Sequence, residues 1–268
     1  MIDKTIIKRK KGLKINKPIL IVGLPGIGNV GKLVTEHLRK ELGAEKIATM
    51  YSPHFPHQVV MLKNGGVRLV NNRFYLIKSK KPSTSDIILL TGDVQAVTTE
   101  GQYDVNSTII NYFKDELDGK FVYTIGGYNI GESVAAGNKP RVFGNATNRK
   151  VVDQFKDTDV IFGKSKGLIY GSAGLIIAFA KIKKLDGVCL MGETSFLDVD
   201  ASAAKAVTLQ LAKRLGLKIN TENLDRIIDR TARAVMDLEK QVSGMNLGQQ
   251  FMGPGTESEK GGHPSYIR

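Results

Sequence analysis

Residues 18–33 read Pro18-Ile19-Leu20-Ile21-Val22-Gly23-Leu24-Pro25-Gly26-Ile27-Gly28-Asn29-Val30-Gly31-Lys32-Leu33. The continuous apolar run that ends in glycine has the character of a strand buried on both faces, as in a parallel sheet. Val30, Leu33, Val34, His37, Leu38 and Leu42 then share one helical face, which predicts a helix over residues 29–42. A buried strand, a glycine-rich turn and an amphipathic helix in that order begin an α/β fold.

The turn admits three readings. Residues 26–31 match the dinucleotide fingerprint G-x-G-x-x-G, but the next strand, near residues 46–50, ends without the acidic residue that would hold a ribose hydroxyl. Residues 26–33 nearly match the phosphate-binding P-loop, but Leu33 stands where a magnesium-ligating hydroxyl is required. The third reading is structural: glycines let the helix pack close against the sheet. Gly26, Gly28, Asn29 and Lys32 are the candidates for an anion or nucleotide at the helix N-terminus.

Further strands are expected at 46–50, 58–62, 67–70, 74–78, 87–90, 121–125 and 187–191, with helices at 103–117, 172–183 and 201–215. Residues 127–148 read as loop. The alternation predicts a three-layer αβα domain with a mostly parallel or mixed sheet over residues 1–242. That span includes an amphipathic C-terminal helix at 221–242, carrying Leu224, Ile227, Ile228, Thr231, Val235, Leu238 and Val242 on one face. Residues 243–268 are rich in glycine and proline and read as a flexible tail.

The chain has 268 residues, with 39 Lys+Arg against 26 Asp+Glu and a formal net charge of +13. Much of the excess lies in Lys4, Lys8, Arg9, Lys10, Lys11, Lys14 and Lys17, opposed locally by Asp3. That strip reads either as a docking arm for an acidic partner or as an edge strand guarded by lysines. Nucleic acid is not the expected partner, because no recognition-helix, RNP or zinc-finger pattern accompanies the charge. The single cysteine, Cys189, excludes an intrachain disulfide and reads as a buried structural thiol. No apolar run approaches a membrane span, and residues 1–4 lack the apolar run of a secretory signal, so a cytoplasmic protein is expected.

Two further groups suggest chemistry. His54 and His57 flank Phe55-Pro56, but no other ligands accompany them, so a rigid loop is expected and no metal. Asp93, Gln95 and Glu193 end apolar strands, where α/β proteins bind ligands, and the two acids could form an acid/base pair in a shared pocket. No Ser-His-Asp or Cys-His set completes a mechanism, so no catalytic residue and no cofactor are assigned.

Taken in order, residues 23–32, Phe55-Pro56, Leu90-Thr91-Gly92-Asp93-Val94-Gln95, Thr124-Ile125-Gly126-Gly127-Tyr128, residues 171–175 and Leu190-Met191-Gly192-Glu193-Thr194 resemble the archaeal proteasome-assembly-chaperone family. The resemblance covers about residues 5–240. It implies a fold related to nucleoside phosphorylases, homo-oligomers (with or without a paralogue), no catalytic activity, and ATP-independent binding to the α subunits of the proteasome core. It also implies docking through a C-terminal hydrophobic-Tyr-any tripeptide on a flexible tether. The corresponding residues are Tyr266, Ile267 and Arg268, with the tyrosine third from the end rather than penultimate. The alternative is a phosphorylase-like or ATP-dependent enzyme that uses the Gly23–Lys32 loop.

Overall fold

A computed structural model of the chain describes residues 2–129, 139–164, 167–194 and 199–234. Its centre is the apolar strand β2 (Ile19–Val22), preceded in the chain by the short strand β1 (Ile6–Arg9). A single 3-10 turn, Ile27–Asn29, leads into α1 (Val30–Glu41). Then come β3 (Glu45–Tyr51), the hairpin β4 (Val59–Met61) and β5 (Val67–Leu69), β6 (Asn72–Ile77) and β7 (Ile87–Gly92). Helix α2 (Thr99–Asn111), extended by a π-turn at Tyr112–Glu116, leads to β8 (Phe121–Asn129). Strand β9 (Val142–Ala146), α3 (Arg149–Asp153), β10 (Val160–Phe162), α4 (Ser172–Ile182), β11 (Asp186–Thr194) and α5 (Ala201–Leu215) follow.

Among the described residues, nine strands form one sheet in the order β1-β3-β6-β7-β2-β8-β11-β9-β10, and β4 pairs with β5. Strands β2, β7, β8 and β11 run parallel at the centre, whereas β1, β3 and β6 join antiparallel on one side. The sheet is therefore mixed, with helices on both faces, as the strand–helix alternation indicates. One face carries Leu20, Met50, Phe74, Leu90 and Val122 against Val105, Ile109 and Phe113 of the α2 region and Ile176 and Ala180 of α4. The other carries Ile21, Leu89, Tyr123 and Val188 against Val30, Val34 and Leu38 of α1 and Ala203, Val207 and Leu211 of α5. Cys189 is fully buried between β8 and β9, and burial pushes its thiol up to about 11.

Among the described residues, strand β1 is the sheet edge, paired with β3, so the basic strip includes a lysine-bearing edge strand. Residues 127–148, read as loop, instead hold the end of β8 and all of β9. Among the described residues, no helix is long and apolar enough to cross a membrane.

By contacts the chain divides into two units, residues 1–228 and 229–268. The first holds every element named above. The expected C-terminal helix is present as residues 222–234, with Leu224 buried and Asp225 accepting a hydrogen bond from Lys205. Residues 235–242, the tail expected at 243–268 and the expected anchor Tyr266, Ile267 and Arg268 lie outside the described residues.

Candidate functional site

Backbone crowds Gly23 and Gly31 after β2, whereas a Cβ on Gly26 would meet only Gln95 Nε2, at 3.7 Å. A Cβ on Gly23 would overlap the Gly31 carbonyl oxygen and stand 2.6 Å from Cγ2 of Thr35. One on Gly31 would lie 2.5 Å from the carbonyl oxygen of Ile125, and one on Gly127 would overlap that of Ile27. The Thr35 hydroxyl ties the contact by donating to the Gly23 carbonyl at 2.9 Å. Helix α1 thus lies directly on β8, and its approach accounts for Gly23 and Gly31 without a phosphate.

Gly28 is fixed from another side. Its φ is +60°, and a Cβ would stand 2.7 Å from the Thr194 hydroxyl. That hydroxyl donates to Asp200 Oδ2 at 2.7 Å, while the Asp200 amide donates to the Gly28 carbonyl at 2.8 Å. Asp200 also caps α5, accepting from the Ala203 amide at 2.9 Å. Gly28, Thr194 and Asp200 form one structural knot. Asn29 adopts a left-handed conformation at the start of α1, and Lys32 is half-exposed one turn further on.

A cleft of about 370 Å³ opens at the carboxyl ends of β2 and β8, the position where open α/β sheets bind ligands. Its walls include Gly26, Ile27, Gly127, Tyr128, Tyr170 and Gln95. Gln95 spans the floor: Nε2 donates to the Pro25 carbonyl at 2.5 Å, and Oε1 accepts from the Ser172 amide at 2.9 Å. Gly171, at φ +72°, lets α4 approach, since a Cβ there would lie 2.7 Å from Oε1.

The two carboxylates do not share this cleft. Asp93 is clamped by Arg68 at 2.5 and 3.1 Å, by Arg73 at 3.0 Å and by the Asn71 amide at 3.0 Å. Burial pushes its carboxyl up, but the Arg68 hydrogen bonds, the Asn71 amide and the two guanidinium charges outweigh it and hold it below its ordinary value. Glu193 is bound by the Arg141 guanidinium at 2.5 and 2.9 Å and by the Arg141 amide at 2.9 Å. The Arg141 hydrogen bond outweighs burial and lowers its pKa too. Two carboxylates held ionised in separate ion pairs are not a proton-exchanging pair. Of the seven sequence candidates, Gly26 and Gln95 line the cleft, whereas Gly28, Asn29, Lys32, Asp93 and Glu193 do not.

Residues 20–239 match the PAC2 family. This chain belongs to the PAC2 family. A protein of Methanocaldococcus jannaschii whose function is uncharacterised is 35% identical over 224 residues, 83% of this chain and 84% of that protein. The crystal structure of Pyrococcus furiosus PbaB, described as an archaeal proteasome activator, is 36% identical with a TM-score of 0.82. It covers 89% of this chain, and all of the PbaB chain is covered. P. furiosus PbaA, described as an archaeal homolog of proteasome-assembly chaperone, shares the fold at 23% identity and a TM-score of 0.73, with 92% and 97% of the two chains covered.

In this PAC2-family chain, the cleft's remaining walls come from the segment around the start of α4, to which no ligand role was assigned from sequence although residues 171–175 carry part of the resemblance. Leu168 and Tyr170 precede α4, and Ser172 opens it. Their signal was the run Gly167-Leu168-Ile169-Tyr170-Gly171, whose exposed Leu168 and Tyr170 look like strand residues when read locally. The His54–His57 loop buries Phe55 in the core, and His54 faces Asp104 at 3.8 Å.

Proposed function

We propose that this PAC2-family protein is an ATP-independent proteasome assembly chaperone that binds the α-ring of the core particle, partly through its C-terminal tail. The observation that carries a proteasome partner is the likeness to PbaB, described as a proteasome activator, across nearly the whole of both chains at 36% identity, and the assembly role follows the motif resemblance. The backbone contacts at Gly23 and Gly31 favour action without ATP, because they give those two glycines a packing cause, and Leu33 offers no metal ligand. In this reading Tyr266, Ile267 and Arg268 are the anchor, the body is a homo-oligomer in the cytoplasm, and residues 243–268 are the tether.

A second reading is activation of the assembled core. PbaB, described as an activator, is closer in sequence than PbaA, whose likeness speaks only to fold.

Capture of purified proteasome α subunits by the full chain, beside a chain truncated after Gln241, tests the first reading. The full chain should retain α subunits without nucleotide and the truncated chain should lose most of them. Capture by both removes the tail from the reading, and capture by neither removes the proteasome. Peptidase activity of preassembled cores separates the second reading: an activator raises it, whereas a chaperone raises only the yield of α-rings.

A further inference from the structure

The sheet is covered unevenly. Along β6 burial alternates strictly: Asn72, Phe74 and Leu76 are buried against the α2 side, whereas Arg73, Tyr75 and Ile77 are half-exposed on the other. Register carries that second face outward. Arg73 stands beside Thr49, which stands beside Lys8, and Tyr75 stands beside Lys46. Tyr51 and Ile6 form the next pair. None of these residues is buried, while Ile47, Ala48 and Met50 on the reverse of β3 are. Helix α1 packs over β7, β2 and β8, and α5 over β11 and β9. Tyr75 and Ile77 border the core beneath α1, and the rest of the β1-β3-β6 third of this face is open among the described residues.

Its chemistry is specific. Lys8 sits over the Tyr51 ring at 5.8 Å, and Arg39 of α1 sits over the Tyr75 ring at 5.2 Å. Lys46 is exposed beside them, and Arg68 and Arg73 complete the cationic set around Asp93. Five cations face two carboxylates, Asp93 and the Glu36 that pairs with Arg39. Tyrosine and arginine on a rigid sheet are the residue types that anchor protein interfaces.

We propose that the open face of β1, β3 and β6 is a docking surface for a carboxylate-rich protein segment, separate from the C-terminal tail. Charge complementarity selects that occupant. A second copy of the chain meeting this face symmetrically would set cations against cations. Single-stranded nucleic acid would stack bases on open rings, but each tyrosine ring already carries a cation, so the face offers positive charge rather than stacking platforms.

Titration of the full chain with poly-L-glutamate, read by fluorescence anisotropy at low and moderate salt, tests the surface. A Lys8→Glu/Lys46→Glu variant should weaken binding about tenfold. A Lys181→Glu/Lys213→Glu control, altering exposed lysines on α4 and α5 by the same charge, should weaken it less than about threefold. The milder Lys8→Gln/Lys46→Gln pair should fall between wild type and the reversal, so the test does not depend on one variant folding. Carbodiimide cross-linking should place poly-L-glutamate on Lys8 and Lys46 ahead of other lysines. Equal losses in face and control variants, cross-links spread evenly, or no binding at low salt would overturn the proposal. Tighter binding of poly(U), lost in the same face variant, would overturn it in favour of nucleic acid.

Discussion

Gly31 and Ile125 meet backbone to backbone: the Gly31 α-carbon leaves so little room that a Cβ would stand 2.5 Å from the Ile125 carbonyl oxygen. This close approach seats α1 on β8, and through Gly23 on β2 as well. It turns a sequence that looks like a nucleotide loop into a helix-to-sheet joint.

Gly31→Ala and Gly23→Ala should each destabilise the fold by about 1–3 kcal/mol or more, since the obstructing atoms are backbone and cannot rotate away. Urea denaturation reads the loss directly. The same samples test the nucleotide alternative. A bound ligand at 100 times its dissociation constant would stabilise the wild type by about 2.7 kcal/mol, and ATP, nucleosides and phosphate should give no such gain. A clear ligand-induced shift that Gly31→Ala abolishes would restore the phosphate reading.

Asp93 gives a pH prediction. Its carboxyl is held below the ordinary 3.8 by Arg68, Arg73 and the Asn71 amide despite burial. A depressed pKa contributes stability that is complete above the unfolded value and lost as pH falls through the folded one. Stability should therefore drop on acidification from about pH 4 downward. Asp93→Asn should cost about 1–3 kcal/mol at neutral pH by leaving two guanidinium groups without their carboxylate. It should also flatten the acid limb, measured by thermal unfolding from pH 7 to pH 3; an unchanged limb would mean the clamp does not exist in solution.

Much of this was legible in the chain. Fully apolar runs such as Ile87–Leu90 and Leu20–Val22 need burial on both faces, and that need marks the central strands. Strand β9 was hidden because Gly144 interrupts it; the gap admits the Phe162 ring, two of whose carbons would stand 2.5 Å from a Cβ. Strand β10 has three residues, as do β4 and β5, but no Asn-Gly turn like that at residues 64–65 marks it. The candidate site was half legible. The glycine turn located Gly26 and the strand ends located Gln95, but the partners of Asp93 and Glu193 come from a distant hairpin and from the residue before β9. Local pattern carries no information about such partners. The open face of β6 follows from its alternation only once α1 is known to lie over β2 and β7.

Gln95 joins the glycine turn to α4. Gln95→Ala leaves the Pro25 carbonyl and the Ser172 amide without their partner and should cost about 1–3 kcal/mol. Hydrogen exchange should localise the loosening to the start of α4. Gln95→Glu keeps the acceptor for Ser172 but sets a carboxylate oxygen against the Pro25 carbonyl, so it should be destabilising at pH 7 and recover as pH falls and the acid protonates. Uniform exchange in both variants would mean that the bridge does not restrain α4.

Asp200 separates capping from charge. One oxygen accepts the Ala203 amide and the other the Thr194 hydroxyl. In Asp200→Asn the amide oxygen still caps α5, and its NH2 can donate to a rotated Thr194 hydroxyl, so the loss should stay below about 1 kcal/mol. Asp200→Ala forfeits both contacts and should cost about 2 kcal/mol. Because the Asp200 amide also holds the Gly28 carbonyl, the alanine variant should perturb the backbone NMR shifts of residues 26–30 as well as those of α5. Equal stability of the two variants would show that the Gly28–Thr194–Asp200 knot does not depend on the side chain, and that the bond from the Asp200 amide alone fixes the turn.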